Sequence, residues 1–260
     1  MEFEANIARK VGDVSLLRVE AEKSRRAAEI GERSGLFSVP HVIALDASRS
    51  TLEFERIPDL TTFIRFAASR GPECAKLARR AGRAVARIHL DLRLEESMRV
   101  PLPDEWSSPN EESVWLHGDL TANNICIDPN SMEIVIVDWS AAPLVGRRAT
   151  VGPRSFDVLC FIRHVMMGAA WHQVLGWQGR SLCDQFITGY VKEFGSPFET
   201  DSWNRHCALL NAFSDTVVQS RIARAPIYAR LGKALAQRAL IRGWYRYRPP
   251  EGCLVDSGRA

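Results

Sequence analysis

Apolar and polar positions alternate weakly over residues 1–12, with Phe3, Ala5 and Ile7 set against Glu4 and Asn6, and this period of two predicts a strand. Residues 15–33, SLLRVEAEKSRRAAEIGER, switch to a helical period. Leu16, Val19, Ala27 and Ile30 form a thin apolar stripe on a charged helix that Gly35 and Pro40 close. HVIALDASRSTLEFERI predicts two strands around a DASRS turn, and Pro58 breaks that pattern. Beyond it the chain reads as mostly helical. Leu77, Ala81, Val85, Ile88 and Leu92 recur every three or four residues, on one face of a helix. ESMRVPLPDEWSSPNEES is a Pro- and Ser-rich loop. NICID and EIVIVDW then form a predicted hairpin around a DPNS turn. Further helices are expected near 155–170, 181–194, 203–224 and 228–247. The order predicts an α+β fold with a small mixed lobe over 1–57 and a larger helical lobe over 58–260. The hairpin would sit at the cleft between them, where ligand sites tend to lie.

Composition narrows the class without naming a chemistry. The 260 residues, 46% apolar and 25% charged, are ordinary for a soluble globular protein with room for two cores. No apolar run approaches 18 residues, and MEFEANIARK lacks a secretory apolar region, so a cytoplasmic protein is expected. Cys74, Cys126, Cys160, Cys183, Cys207 and Cys253 form no CxxC pair. They read as reduced, buried thiols rather than a zinc site or a disulfide framework. The net charge of +3 is unevenly spread. No acidic residue lies between Asp215 and Glu251, a span that holds Arg221, Arg224, Arg230, Lys233, Arg238, Arg242, Arg246 and Arg248.

The chemistry concentrates in WLHGDLTANNICIDPNSMEIVIVDWS, residues 115–140. His117 and Gly118 turn the chain into a loop, Asp119 follows, and Asn124 opens the first strand of the hairpin. The second strand ends on Asp138, which brings Asn124 and Asp138 to the same end of adjacent strands. Phosphoryl transfer needs an oriented acceptor hydroxyl and neutralised phosphate charge more than covalent help. Asp119 can take or direct the hydroxyl proton, and the oxygens of Asn124 and Asp138 are hard ligands suited to Mg²⁺. His117 suits a role in holding the loop by hydrogen bonds.

HGDLTANN followed by IVIVDWS resembles the catalytic and metal motifs of the aminoglycoside phosphotransferase and choline kinase-like family, which shares the protein-kinase-like fold. The resemblance implies Asp119 as catalytic base and Asn124 and Asp138 as Mg²⁺ ligands. Gly118 stands where many protein kinases carry an Arg that pairs with a phosphorylated activation loop, which argues against such control. Asp157, in ATVGPRSFDVLCFI, would by resemblance buttress the catalytic loop. A plain role at a helix N-terminus fits it equally. More weakly, Ala8-Arg9-Lys10 is similar to the family's lysine-bearing strand. Lys10 would then reach nucleotide phosphates and pair with Glu22, with Glu20 as the rival partner. Backbone groups at Glu55–Ile57 would meet the adenine.

A Gly-rich phosphate-covering loop belongs well upstream of that lysine, yet only nine residues precede Lys10 and none is Gly. The reading is therefore a shortened N-terminal nucleotide-binding lobe. Three origins stay open: natural shortening, a chain that begins downstream of its true start, or ATP held by other parts.

Together these features predict transfer of the γ-phosphate of ATP, or of GTP, with Mg²⁺ to a hydroxyl of a small molecule. A sugar, an amino alcohol or a related metabolite is expected. If the basic stretch 221–248 lined the site, it would attract an anionic acceptor and repel a polycationic aminoglycoside. It could also meet a membrane surface or nucleic acid, although a solvated amphipathic helix, with Leu231, Leu235, Ala239 and Arg242 on one line, explains it as well. Two other classes compete: a small atypical RIO-like protein kinase, and a nucleotide-binding pseudokinase.

Overall fold

The computed structural model describes residues 2–3, 6–69, 71–108, 111–139, 149–168, 176–223 and 227–256, with side chains outside 2–3, 213–231 and 233. The first stretch is two strands rather than one. β1 (Glu2–Phe3) folds back antiparallel on β2 (Ile7–Val11), with Glu2 opposite Arg9 and Phe3 opposite Ala8. Helix α1 (Val14–Ser34) starts where the Asp13 side chain accepts the Ser15 and Leu16 amides. It ends at Gly35, whose φ of 64° is the left-handed cap conformation that glycine tolerates. β3 (Val42–Asp46) and β4 (Thr51–Glu55) complete a sheet of order β1-β2-β4-β3. Leu17 and Ala21 of α1 pack on this sheet against Leu52, Leu45 and Phe54.

The inward face of α1 differs from the predicted stripe. Leu16 and Val19 are half-buried, whereas Leu17, Ala21, Ala27 and Ile30 are inside. The same face also buries Glu20, Lys23 and Ser24, which an apolar-periodicity reading assigns to solvent.

β5 (Thr61–Thr62), α2 (Phe63–Ala68) and α3 (Glu73–Asp91) follow. β6 (Ser113–Trp115) leads into the catalytic-type loop, and the hairpin of β7 (Ile125–Ile127) and β8 (Ile134–Ile136) comes after it. β5 and β7 pair antiparallel, so the hairpin belongs to a three-stranded sheet of order β5-β7-β8. β9 (Val151–Pro153) returns antiparallel to β6. The remaining elements are α4 (Ser155–Met167), α5 (Gly179–Phe194), β10 (Phe198–Glu199), α6 (Thr200–Ala223), α7 (Ile227–Tyr245) and β11 (Leu254–Val255). Helix α4 is largely buried, with Val158, Leu159, Phe161, Ile162 and Val165 each inside. Among the described residues no helix is long and apolar enough to cross a membrane. All six cysteines are free thiols, five buried and Cys207 half-buried.

Helices α3 and α5 approach so closely that two glycines become obligatory. A Cβ on Gly82 would lie 1.9 Å from the Phe186 carbonyl oxygen, and one on Gly189 would lie 2.2 Å from that of Arg79. These backbone atoms cannot rotate away as a side chain could. Gly82→Ala is therefore expected to destabilise the fold by about 1–3 kcal/mol despite alanine's better helix propensity. Urea unfolding measures this. A stabilised variant would show that the two helices can part without cost.

Helix α7 turns its predicted line outward. Leu235 is 57% exposed, whereas Leu240, Trp244 and Tyr247 are buried. Trp244 Nε1 donates to Asn211 of α6 at 2.5 Å and so fixes that rotation. Arg238, Arg242, Arg246 and Arg248 are exposed, while the side chains of Arg221, Arg224, Arg230, Lys233 and Leu231 lie outside the described residues.

A second polar cluster closes the end of α4. Glu111 accepts the Ser155 amide at 2.9 Å, capping α4 in place of Arg154, whose side chain makes no capping bond. The Ser155 hydroxyl lies 2.7 Å from His206 Nδ1, and His206 Nε2 donates to the Trp106 carbonyl at 2.8 Å. His206 is fully buried, and burial pulls its pKa down to about 4.

His117, described below, is held low in the same way. In the unfolded chain both rings titrate near 6.5, so on acidification the unfolded state takes up protons first. Stability is then expected to fall between about pH 6.5 and pH 4, by up to about 1.4 kcal/mol per pH unit for each ring. Urea midpoints across that range test this, and His206→Gln should remove one proton from the slope. An unchanged slope in that variant would mean that His206 is not neutral in the fold.

Candidate active site

The site forms where the loop after β6 meets the open end of the β7–β8 hairpin. Leu116 and Leu120 are completely buried and pin the loop on both sides of Asp119. Gly118 sits between them at a φ of 94°, a conformation that would strain a side chain. Asp157 of α4 is fully buried and holds the loop from beneath. Its Oδ2 accepts the His117 amide at 2.7 Å and its Oδ1 the Gly118 amide at 3.0 Å. His89 of α3 lies 3.1 Å from the same carboxylate, and the Tyr190 hydroxyl is bonded to the other nitrogen of that ring. Burial pushes the Asp157 carboxyl up, but bonds and charge from His89, His117 and Gly118 outweigh it and hold the pKa below the usual carboxylate value.

His117 joins the two halves of the site. Its Nε2 donates to the Val137 carbonyl at 3.1 Å, while Nδ1 accepts the Asp119 amide at 3.3 Å. The ring packs against Trp139, with centroids 4.6 Å apart. Burial lowers its pKa to about 4, which keeps it neutral and in the tautomer these bonds require.

The hairpin register puts Ile125 opposite Ile136, and the Val137 amide donates to the Asn124 carbonyl one step further on. Asn124 and Asp138 therefore leave the same end of the two strands. Asn124 Nδ2 donates to the Asp119 carbonyl at 2.8 Å and lies 3.3 Å from Asp119 Oδ2. Burial and the nearby Asp138 charge raise the Asp119 carboxyl to about pKa 6. Asp138 adopts a φ of 60°, rare for a residue with a Cβ and a form of strain that clusters at functional sites.

Lys10 closes the constellation from β2. Its ammonium bonds Asp138 Oδ1 at 2.7 Å and both oxygens of Glu20 at 2.8 Å. Burial alone would lower its pKa, but the two carboxylates overcome this and hold it above the ordinary lysine value. The partner of Lys10 on α1 is thus Glu20 and not Glu22. Glu22 lies on the outer face of the helix and pairs with Arg26 at 3.0 Å. The two differ by about 200° of helical rotation, so only one can face the sheet.

Next to Lys10 and Asp138 lies an open cleft lined by Ala8, Val39, Phe54, Leu60, Cys126 and Val137. Residues 55–57 form its rim. The Glu55 and Arg56 amides are spent on the His41 and Asn6 carbonyls, whereas the Ile57 amide has no hydrogen bond among the described residues.

Lys23 and His89 were not legible as site residues from the sequence, and Glu20 was legible only as the rival of Glu22. Glu20 and Lys23 do share a helix face at i and i+3, but nothing in the apolar pattern says that this face is buried. His89 falls on the apolar stripe of α3, where a lone histidine reads as core.

This fold and cluster define a kinase-type phosphotransferase. The chain belongs to the phosphotransferase enzyme family, whose sequence model matches residues 52–194, more than half of its length. It is accordingly a phosphotransferase with an alcohol group as acceptor, and membership implies ATP as the phosphoryl donor.

Two solved structures show the same fold at low identity. A choline/ethanolamine kinase family protein from Mesorhizobium loti is 15% identical with a TM-score of 0.51, covering 92% of this chain and 87% of that one. The ADP-bound aminoglycoside phosphotransferase APH(2'')-Ib is 12% identical with a TM-score of 0.51, covering 92% and 88%. No curated protein matches the sequence.

Proposed function

We propose that the protein transfers the γ-phosphate of ATP to a hydroxyl of a small metabolite, with Asp119 as the base that orients and accepts the hydroxyl proton. One observation carries this reading. Lys10, Asp119, Asn124 and Asp138 come from three separate segments and converge beside an apolar cleft.

Asn124 and Asp138 fit a Mg²⁺ ion. The Asn124 amide nitrogen is engaged by Asp119, which leaves its oxygen for a cation, and the Asp138 carboxylate already draws the Lys10 ammonium to 2.7 Å. Both offer hard oxygens. When bound, Mg²⁺ neutralises charge on the transferring phosphate. The chain itself does the rest. Lys10 binds nucleotide phosphates, held in place by Glu20. The Ile57 amide offers a donor to the base, whose ring stacks in the apolar cleft. His117 and Asp157 keep Asp119 aimed.

Family membership favours a small-molecule acceptor over the RIO-like protein-kinase reading. Arg238 and Arg242 of α7 are exposed, and if that face borders the acceptor site a sugar or an amino alcohol suits it better than a polycationic aminoglycoside does.

Thermal unfolding with nucleotide and Mg²⁺ is the first test. A nucleotide at 100 times its Kd should stabilise the protein by about 2.7 kcal/mol. No shift with ATP or GTP would count against a nucleotide site here, and a shift without any phosphoryl transfer would favour the pseudokinase. Transfer of labelled γ-phosphate to choline, ethanolamine, a hexose and an aminoglycoside then sorts the acceptors. Efficient labelling of the aminoglycoside would overturn the argument from charge.

A further inference from the structure

Lys23 is the one lysine of the described residues with no exposed surface, and the phosphotransfer chemistry does not call on it directly. It projects from α1 one turn beyond Glu20, and its ammonium donates to the His117 carbonyl oxygen at 3.0 Å. That carbonyl belongs to the same peptide unit as the Gly118 amide, which Asp157 Oδ1 accepts at 3.0 Å. The His117–Gly118 peptide plane is therefore gripped at both ends, by a cation from α1 and a carboxylate from α4.

This plane lies one residue before Asp119, and Gly118, at a φ of 94°, would otherwise let it turn freely. Glu20, on the same face of α1, holds Lys10. A single rigid helix thus touches both the phosphate-binding lysine and the backbone that aims the base.

We propose that Lys23 is a positioning residue for phosphoryl transfer: it clamps the His117–Gly118 peptide plane and docks α1 permanently onto the catalytic loop, so that Asp119 and the Lys10–Glu20 pair are held in one arrangement. The proposal rests on the assignment of Asp119 as the base. An outward swing of α1 would break the Lys23 bond and leave the buried His117 carbonyl without its donor. Burial lowers the Lys23 pKa to about 8, yet the Asp157 and Glu20 charges keep the amine mostly protonated at neutral pH.

The test uses the full chain with MgATP and water as acceptor, following phosphate release, alongside amide hydrogen exchange. Lys23→Met keeps the stem and removes the ammonium. Its kcat is expected to fall about 10- to 100-fold, the cost of a misplaced catalytic group, while KM for ATP moves far less. Exchange should quicken over residues 116–120 and in α1 but not in α3 and α5. A folded Lys23→Met protein with kcat within twofold of wild type and unchanged exchange would overturn the proposal.

Wild-type exchange decides the matter even where the variant fails to fold. The Gly118 amide and the amides of residues 20–24 should open together, with one free energy. Loop opening while α1 stays closed would also overturn it. Asp119→Asn separates the two ideas. Retained turnover in that variant overturns the base assignment, whereas the exchange result stands or falls with Lys23 alone.

Discussion

Asp119→Asn is expected to lower phosphotransfer by about 10²–10⁴-fold while leaving nucleotide affinity nearly unchanged. The asparagine is the same size, and its oxygen can still lie beside Asn124 Nδ2, now 3.3 Å from Asp119 Oδ2. The loop has no reason to move, because its backbone is held by Asp157, His117 and the buried Leu116 and Leu120. What disappears is the capacity to take a proton. The wild-type carboxyl, with its pKa near 6, is ionised at neutral pH yet basic enough to help a hydroxyl attack. Lys10, Asp138 and the apolar cleft are untouched, so binding should persist. Single-turnover transfer from γ-labelled ATP, paired with calorimetric nucleotide affinity, separates the two. Loss of affinity in step with loss of rate would place Asp119 in nucleotide binding instead.

The second large effect is structural. Asp157→Asn should cost about 3–5 kcal/mol of stability, the range for breaking a buried charged network from one side. The carboxylate accepts two backbone amides, one on each oxygen, and faces His89. An amide keeps one acceptor and turns an N–H₂ toward a backbone N–H. That leaves a buried donor unsatisfied and removes the charge opposite Lys23 and His89. Urea unfolding reads the loss directly. A change below 1 kcal/mol would show that the carboxylate is not ionised in the fold. The same substitution should lower turnover, because the Gly118 amide it releases is one end of the His117–Gly118 peptide unit, one residue before Asp119.

Much of this architecture is legible along the chain because it depends on local periodicity and turn chemistry. The stripe of Leu77, Ala81, Val85, Ile88 and Leu92 became α3 and its end, and DASRS became the turn between β3 and β4. The convergence of Asn124 and Asp138 follows from strand geometry alone. Once IVIVD pairs with NICID, a period of two and one hairpin turn leave no other end for them.

The errors have a different origin. Residues 1–12 split into two strands because β1 finds its partner five to seven residues away, and weak alternation cannot reveal a reversal of direction. Leu235 faces solvent because the rotation of α7 is set by Trp244 reaching Asn211, a contact 33 residues apart in sequence. The choice of Glu20 over Glu22 depends in the same way on which face of α1 meets the sheet.

The chain by itself therefore determined which side chains are available and how neighbours are spaced: HGD, Asn124, Asp138, the hairpin and the helical stripes. Only the tertiary structure decided which polar groups go inside. Burial of Glu20, Lys23, His89 and Asp157 runs against their hydropathy, and each carries a desolvation cost that only a partner from another segment offsets: Lys10, the His117 carbonyl, Tyr190 and the loop amides. Those partners lie 10 to 101 residues away. No local pattern encodes a balance between desolvation and pairing at that distance, so the side chains proposed for the site could be named from the sequence and their rigid support only from the folded chain.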